Sequence, residues 1–163
     1  MKGSTLKRFM NLWPPFLFSG VRVRALSDDL RHARVELRQR WYNRNYVGTH
    51  FGGTLFAMTD PFWMIMVLKN LGRDYMVWDR AGSIEFLKPG RGTVAATFDL
   101  EEATLAALRE AAAGGEKVLH WFDTEIRDTQ GDVVAQVRKQ VYVRRKRPKQ
   151  TAGPPADAVH IAD

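Results

Sequence analysis

Hydrophobic positions recur at two different periods along this chain. From residue 33 to 41 they alternate, with Val35, Leu37 and Trp41 on one side and Arg34, Glu36, Arg38 and Arg40 on the other. A period of two predicts a half-buried strand, and Val21-Arg22-Val23 predicts a shorter one before it. Four further strands are predicted over residues 74–88, 92–100, 116–128 and 132–145. In the last of these Val133, Ala135, Val137, Val141 and Val143 share a face. "KPGRG" (88–92) and "DTQGD" (128–132) carry tight-turn chemistry and predict antiparallel hairpins. Between the early and late strands, residues 54–70 are apolar on nearly every face and are followed by Gly72. That pattern predicts one long helix surrounded by protein on all sides. "EEATLAALREAAAGG" predicts a short surface helix with a glycine exit.

One wholly apolar helix beside several amphipathic strands has a natural packing solution. An antiparallel sheet curls around the helix and buries it, leaving the outer sheet face wet or paired with another subunit. The expected class is α+β, in the hotdog arrangement with the helix as the filling.

Composition narrows the picture. The 163 residues, 45% hydrophobic, suit a single domain with a real core, expected over residues 21–146. Residues 1–20 are expected to form an amphipathic lead-in that packs on the domain or a partner. Residues 147–163, polar and rich in Pro, Gly and Ala, are expected to be a disordered tail. There are no cysteines, so disulfides and thiolate chemistry are excluded. The N-terminus lacks a signal-type cleavage site, which makes the cytoplasm the expected location. The longest apolar run, residues 55–68, is shorter than the roughly 20 residues a membrane span needs. The net charge of +7 is concentrated in "RKQVYVRRKRPK" near the end. No aromatic RNA motif or zinc-finger spacing accompanies it, so no nucleic-acid partner is expected. The four histidines are scattered without ligand spacing, and no metal is expected.

The candidate chemistry lies in "NYVGTHFGGTLFAMTD", residues 45–60, where Asp60 is the one acid inside the apolar run. A buried carboxylate costs several kcal/mol unless it is paired or hydrogen-bonded. Two readings account for it. In one, Asp60 caps a helix beginning at Pro61 and merely satisfies backbone amides. In the other, the helix starts near Gly53, Pro61 kinks it, and Asp60 faces a cleft as general base or nucleophile. Gly52 and Gly53, where the loop enters the helix, would leave free N–H groups able to bind a carbonyl and stabilise an oxyanion.

The spacing Asn45, Gly48, Phe51, Gly52, Gly53, Asp60 resembles the active-site segment of PaaI-like hotdog acyl-CoA thioesterases. The strings "NRNYVGTHFGG", "AMTDPFWM", "DYMVWDRAGSIEFLKPGRGT" and "VYVRRK" are similar to the DUF4442 branch of that superfamily, over most of residues 10–146. The resemblance implies an acyl-CoA or other acyl thioester as substrate, with Asp60, Asn45 and Gly53 catalytic and Gly48, His50, Phe51 and Gly52 binding substrate. It implies no cofactor beyond the coenzyme A of the substrate, and a homodimer or dimer of dimers with the aspartate and the glycine corner from different subunits. The sequence departs from the pattern at one place: Phe51 stands where the family has His, and His50 lies one residue earlier. Two alternatives follow, a non-catalytic acyl-binding module and, ranked lower, an enoyl-thioester hydratase or dehydratase. Arg44, Arg80, Lys88, Arg91 and Arg138 are candidates for the coenzyme A phosphates by residue type alone.

Overall fold

A computed structural model describes residues 2–147. The chain runs α1 (Gly3–Leu12), α2 (Pro14–Ser19), β1 (Val21–Leu26), β2 (His32–Arg38), α3 (Gly52–Ala57), α4 (Phe62–Leu71), β3 (Tyr75–Phe86), β4 (Thr93–Asp99), α5 (Glu102–Ala111), β5 (Val118–Asp128) and β6 (Val133–Arg145). The strands form one antiparallel sheet in the order β1-β2-β4-β5-β6-β3. This is the α+β hotdog architecture. "DTQGD" makes the β5–β6 hairpin as expected. "KPGRG" does not make one, because β3 lies at the sheet edge beyond β6, and the chain crosses from there to β4 in the middle.

Burial follows the alternation in the sequence. Val35 and Leu37 on β2, Val94, Ala96 and Phe98 on β4, Phe122 and Ile126 on β5, and Val137, Val141 and Val143 on β6 face one core. Phe62, Trp63, Met66, Val67 and Leu71 of α4 fill its centre. Phe16 of α2 stacks on Phe62, and Phe62 on Phe98 with ring centroids 4.7 Å apart. Trp63 stacks on Phe122 and donates from Nε1 to the Thr124 hydroxyl at 2.7 Å. Burying an indole requires such a partner for its N–H. Trp41 does not continue the β2 face. The strand ends at Arg38, and Trp41 is 81% exposed.

The N-terminal segment packs as two short helices. Leu6, Met10 and Phe16 join the core, and the Asn11 side chain pairs with both backbone groups of Val23 on β1. Among the described residues no helix is long and apolar enough to cross a membrane. The tail expected from residue 147 onward falls, apart from Arg147 itself, outside the described residues.

The single central helix expected over residues 54–70 is two helices. Pro61 has no N–H, so the Ala57 carbonyl loses its partner four residues on. It accepts instead from the Asp60 N–H at 3.2 Å, a tighter turn that ends α3. Residues 58–61 form the break, and α4 restarts with Ile65 donating to the Pro61 carbonyl.

Candidate active site

The break decides where Asp60 goes. The capping reading fails, because position 61 itself caps α4 and no side chain bonds to its first amides. The expectation of a buried carboxylate fails too: the Asp60 side chain is 58% exposed. Its Oδ1 accepts from Lys139 Nζ at 2.6 Å. The compensating charge that the sequence reading asked for is therefore a lysine 79 positions away.

Lys139 is 4% exposed. Its ammonium is held between Asp60 and Asp79, whose Oδ2 lies at 3.0 Å. Three features of the fold build this arrangement. On β6 Lys139 occupies the inward position between Val137 and Val141. On β3 a bulge at Arg80 shifts the register between Asp79 and Ala81, and bulges of this kind re-aim side chains. Opposite Lys139 lies Gly82, where a Cβ would meet the Phe56 ring at 2.8 Å and the lysine stem at 3.1 Å. The absent side chain leaves the channel through which the stem reaches the helix break, with the ammonium 5.4 Å from the Phe56 ring centre.

Burial opposes the lysine's charge more than any other single influence does. The two carboxylates together outweigh it, holding its pKa above the ordinary 10.5. Burial pushes the Asp79 carboxyl up, Lys139 works against that rise, and the nearby Asp60 charge adds to it. Among the described residues, Asp79 Oδ1 is buried without a hydrogen-bond partner. Neither Lys139 nor Asp79 was identified from the sequence as a functional residue. The signal was present as a charge at one inward position of each alternating strand, after Tyr75 and Val77 on β3 and between Val137 and Val141 on β6.

Of the rest of the predicted set, Asn45, His50 and Gly52 line, with Thr49 and Leu55, a cleft of about 410 Å³ closed by Phe86 and the 87–90 turn; Gly48, Phe51 and Gly53 lie beside it and are not among its lining residues. Asp60 is not among its lining residues. Within one subunit the carboxylate and the glycine corner therefore do not share a pocket.

The Asn45 side chain is committed to its own loop. Its amide donates to Thr49 Oγ1 at 2.8 Å and its carbonyl accepts from the Thr49 N–H at 3.0 Å. Gly48 adopts φ +78, the left-handed turn that glycine favours, and its carbonyl accepts from Gln39 and Arg91. His50 is buried, and its Nε2 donates to the Gly92 carbonyl at 3.1 Å. That bond places the ring proton on Nε2 and leaves Nδ1 bare and buried, with no partner among the described residues. Burial accordingly lowers the His50 pKa, with the Gly92 bond opposing.

Gly52 and Gly53 open α3 with Phe51 before them in extended conformation. Among the described residues their amides have no acceptor. Both glycines lie against aromatic rings: a Cβ on Gly52 would meet Phe86 at 2.7 Å, and one on Gly53 would meet Phe51 at 2.5 Å. Phe51 is 56% exposed, so the residue at the family's histidine position lies over the glycine corner at the surface. Of the basic candidates, Lys88 is taken up by Asp128 and Asp132, and Arg138 by Asp123.

The family model DUF4442, a domain of unknown function, matches residues 3–143. No curated protein matches the sequence. Among solved structures, a Pseudomonas aeruginosa protein of unknown function, described as a probable thioesterase, superposes with a TM-score of 0.79. It is 18% identical, over 89% of this chain and 97% of its own. A Haemophilus influenzae thioesterase gives 0.65 at 12% identity, over 92% and 95% of the two chains. The E. coli PaaI protein from the phenylacetic acid degradation operon gives 0.60 at 18% identity, over 86% and 92%.

Proposed function

The chain belongs to the DUF4442 family and has the hotdog fold of PaaI-like thioesterases, and on that premise we propose that it hydrolyses acyl thioesters, coenzyme A thioesters in the first instance. The observation that carries this reading is the carboxylate itself. Asp60 is anchored at one oxygen, 58% exposed, and set at a helix break beside the core. The free amides of Gly52 and Gly53 supply the second element, donors for the oxyanion that forms when water or the carboxylate attacks the acyl carbon. In the overall reaction the water oxygen bonds to the acyl carbon, the carbon–sulfur bond breaks, and the departing thiolate takes a proton. Asp60 acts as base or nucleophile. Asn45 positions the loop, and Gly48, His50, Phe51 and Gly52 border the acyl group.

The separation of Asp60 from the cleft supports a site completed by a second subunit, in a cytoplasmic homodimer or dimer of dimers. Strand β3 is an edge strand with one side unpaired, and such an edge is a ready template for strand pairing between copies. The substrate would bring the coenzyme A; no other cofactor enters this reading.

One observation favours a second reading, a non-catalytic acyl-binding module: the Asn45 and His50 side chains are turned to backbone partners and Phe51 occupies the corner. Free-thiol release from short, medium and long acyl-CoAs, wild type beside Asp60→Asn, separates the two. Turnover abolished in a folded mutant is the expected result. Saturable binding without turnover in the wild type overturns hydrolysis in favour of the binding module.

A further inference from the structure

Lys139 has no place in the reading above, and it is the most deeply buried charged side chain among the described residues. A cation there is costly, and an apolar residue such as Met would continue the face set by Val137 and Val141. The fold instead holds the lysine in place. Gly82 clears the space for its stem, the bulge at Arg80 turns Asp79 toward it, and its Nζ meets Asp60 at 2.6 Å and Asp79 at 3.0 Å. Asp79 is only 22% exposed at its side chain, while Asp60 is 58% exposed. The inner carboxylate therefore serves the lysine, and the outer one is presented to solvent. Among the described residues, Oδ2 of Asp60 has no partner.

We infer that Lys139, fixed from behind by Asp79, is the positioning residue for Asp60: it pins one carboxylate oxygen so that the other is directed at the thioester. The inference rests on the hydrolase reading and extends it to residues that no motif identifies. An aspartate at the tip of a turn has two free side-chain torsions. A hydrogen bond from a rigidly packed ammonium removes most of that freedom before substrate arrives.

The test is steady-state hydrolysis of the best acyl-CoA by wild type, Lys139→Met, Lys139→Arg, Asp79→Asn and the double variant Lys139→Met/Asp79→Asn. Loss of positioning lowers kcat by roughly 10- to 100-fold in Lys139→Met, with KM little changed. Lys139→Arg, which keeps a charged donor, recovers part of the loss. Asp79→Asn falls between wild type and Lys139→Met. Should Lys139→Met fail to fold, the double variant, which leaves no buried carboxylate unpaired, carries the same comparison. Wild-type kcat in a folded Lys139→Met or double variant overturns the inference.

If the wild type turns over no thioester, the hydrolase reading has failed and the pinning contact is judged separately. The ¹⁵N resonance of the Lys139 ammonium is followed in wild type and Asp60→Asn. A shifted or faster-exchanging signal in the variant supports the contact, and an unchanged signal overturns it.

Discussion

Replacing Lys139 with methionine probes how the buried ion pair stabilises the fold. The substitution keeps an unbranched apolar stem and removes the ammonium. Breaking a buried pair by removing one partner costs about 3–5 kcal/mol, because the remaining charge stays buried alone. Here the cost divides unevenly. Asp60 is 58% exposed, and its share is screened by water to about 0–1 kcal/mol. Asp79 is 22% exposed, with Oδ1 already unpartnered, and carries most of the penalty. The expected loss is about 2–4 kcal/mol. For a chain of this size that lowers Tm by about 5–10 °C. Urea denaturation of wild type, both single variants and the double variant measures it as a cycle. In Lys139→Met/Asp79→Asn the stranded carboxylate is gone, and most of the lost stability returns. A Lys139→Met variant within about 0.5 kcal/mol of wild type would refute this account. So would a double variant no better than Lys139→Met.

The remaining expectations are these. The Asp79 pKa is raised in the folded state, so the native protein holds a proton there that the unfolded chain has released; stability then declines as pH rises from the ordinary carboxylate value near 3.8 through the folded pKa. Asp79→Asn should remove that decline in denaturation midpoints taken across the acid range. His50 runs the other way. Its lowered folded pKa gives stability that is present above the unfolded value near 6.5 and lost as pH falls, and His50→Gln should flatten this slope to the part due to His120. Trp63→Phe removes the Nε1 donor to Thr124 and should cost about 1–2 kcal/mol, read by denaturation. Gly3→Ala would place a Cβ 2.3 Å from the Ser27 carbonyl oxygen and should cost about 1–3 kcal/mol, with unchanged stability arguing against α1 docking at that turn.

How much of this was legible in advance depended on the range of the interaction concerned. Alternation of apolar and charged residues within one strand is a local property, and β1 through β6 fall close to where it placed them. The start of α3 at the glycine pair and its end before Pro61 also follow from backbone chemistry within a few residues. The full break between α3 and α4, rather than a kink, is seen only in the structure, where Phe62 and Trp63 just beyond it pack against Phe16, Phe98 and Phe122.

The surroundings of Asp60 differ from the sequence expectation for a related reason. Apolar neighbours in sequence suggested burial, but at a turn between two helices the neighbours point inward and the tip points out. "KPGRG" carried every signal of a hairpin turn, yet the strand order separates the strands it joins, because pairing is decided by the whole sheet. The sequence by itself determined the fold class, the strand faces and Asp60 as an isolated anomaly. Only the tertiary structure brought Lys139 between Asp60 and Asp79. That contact spans 79 positions from the helix break to β6, and no periodicity along the chain encodes which inward charge will meet which.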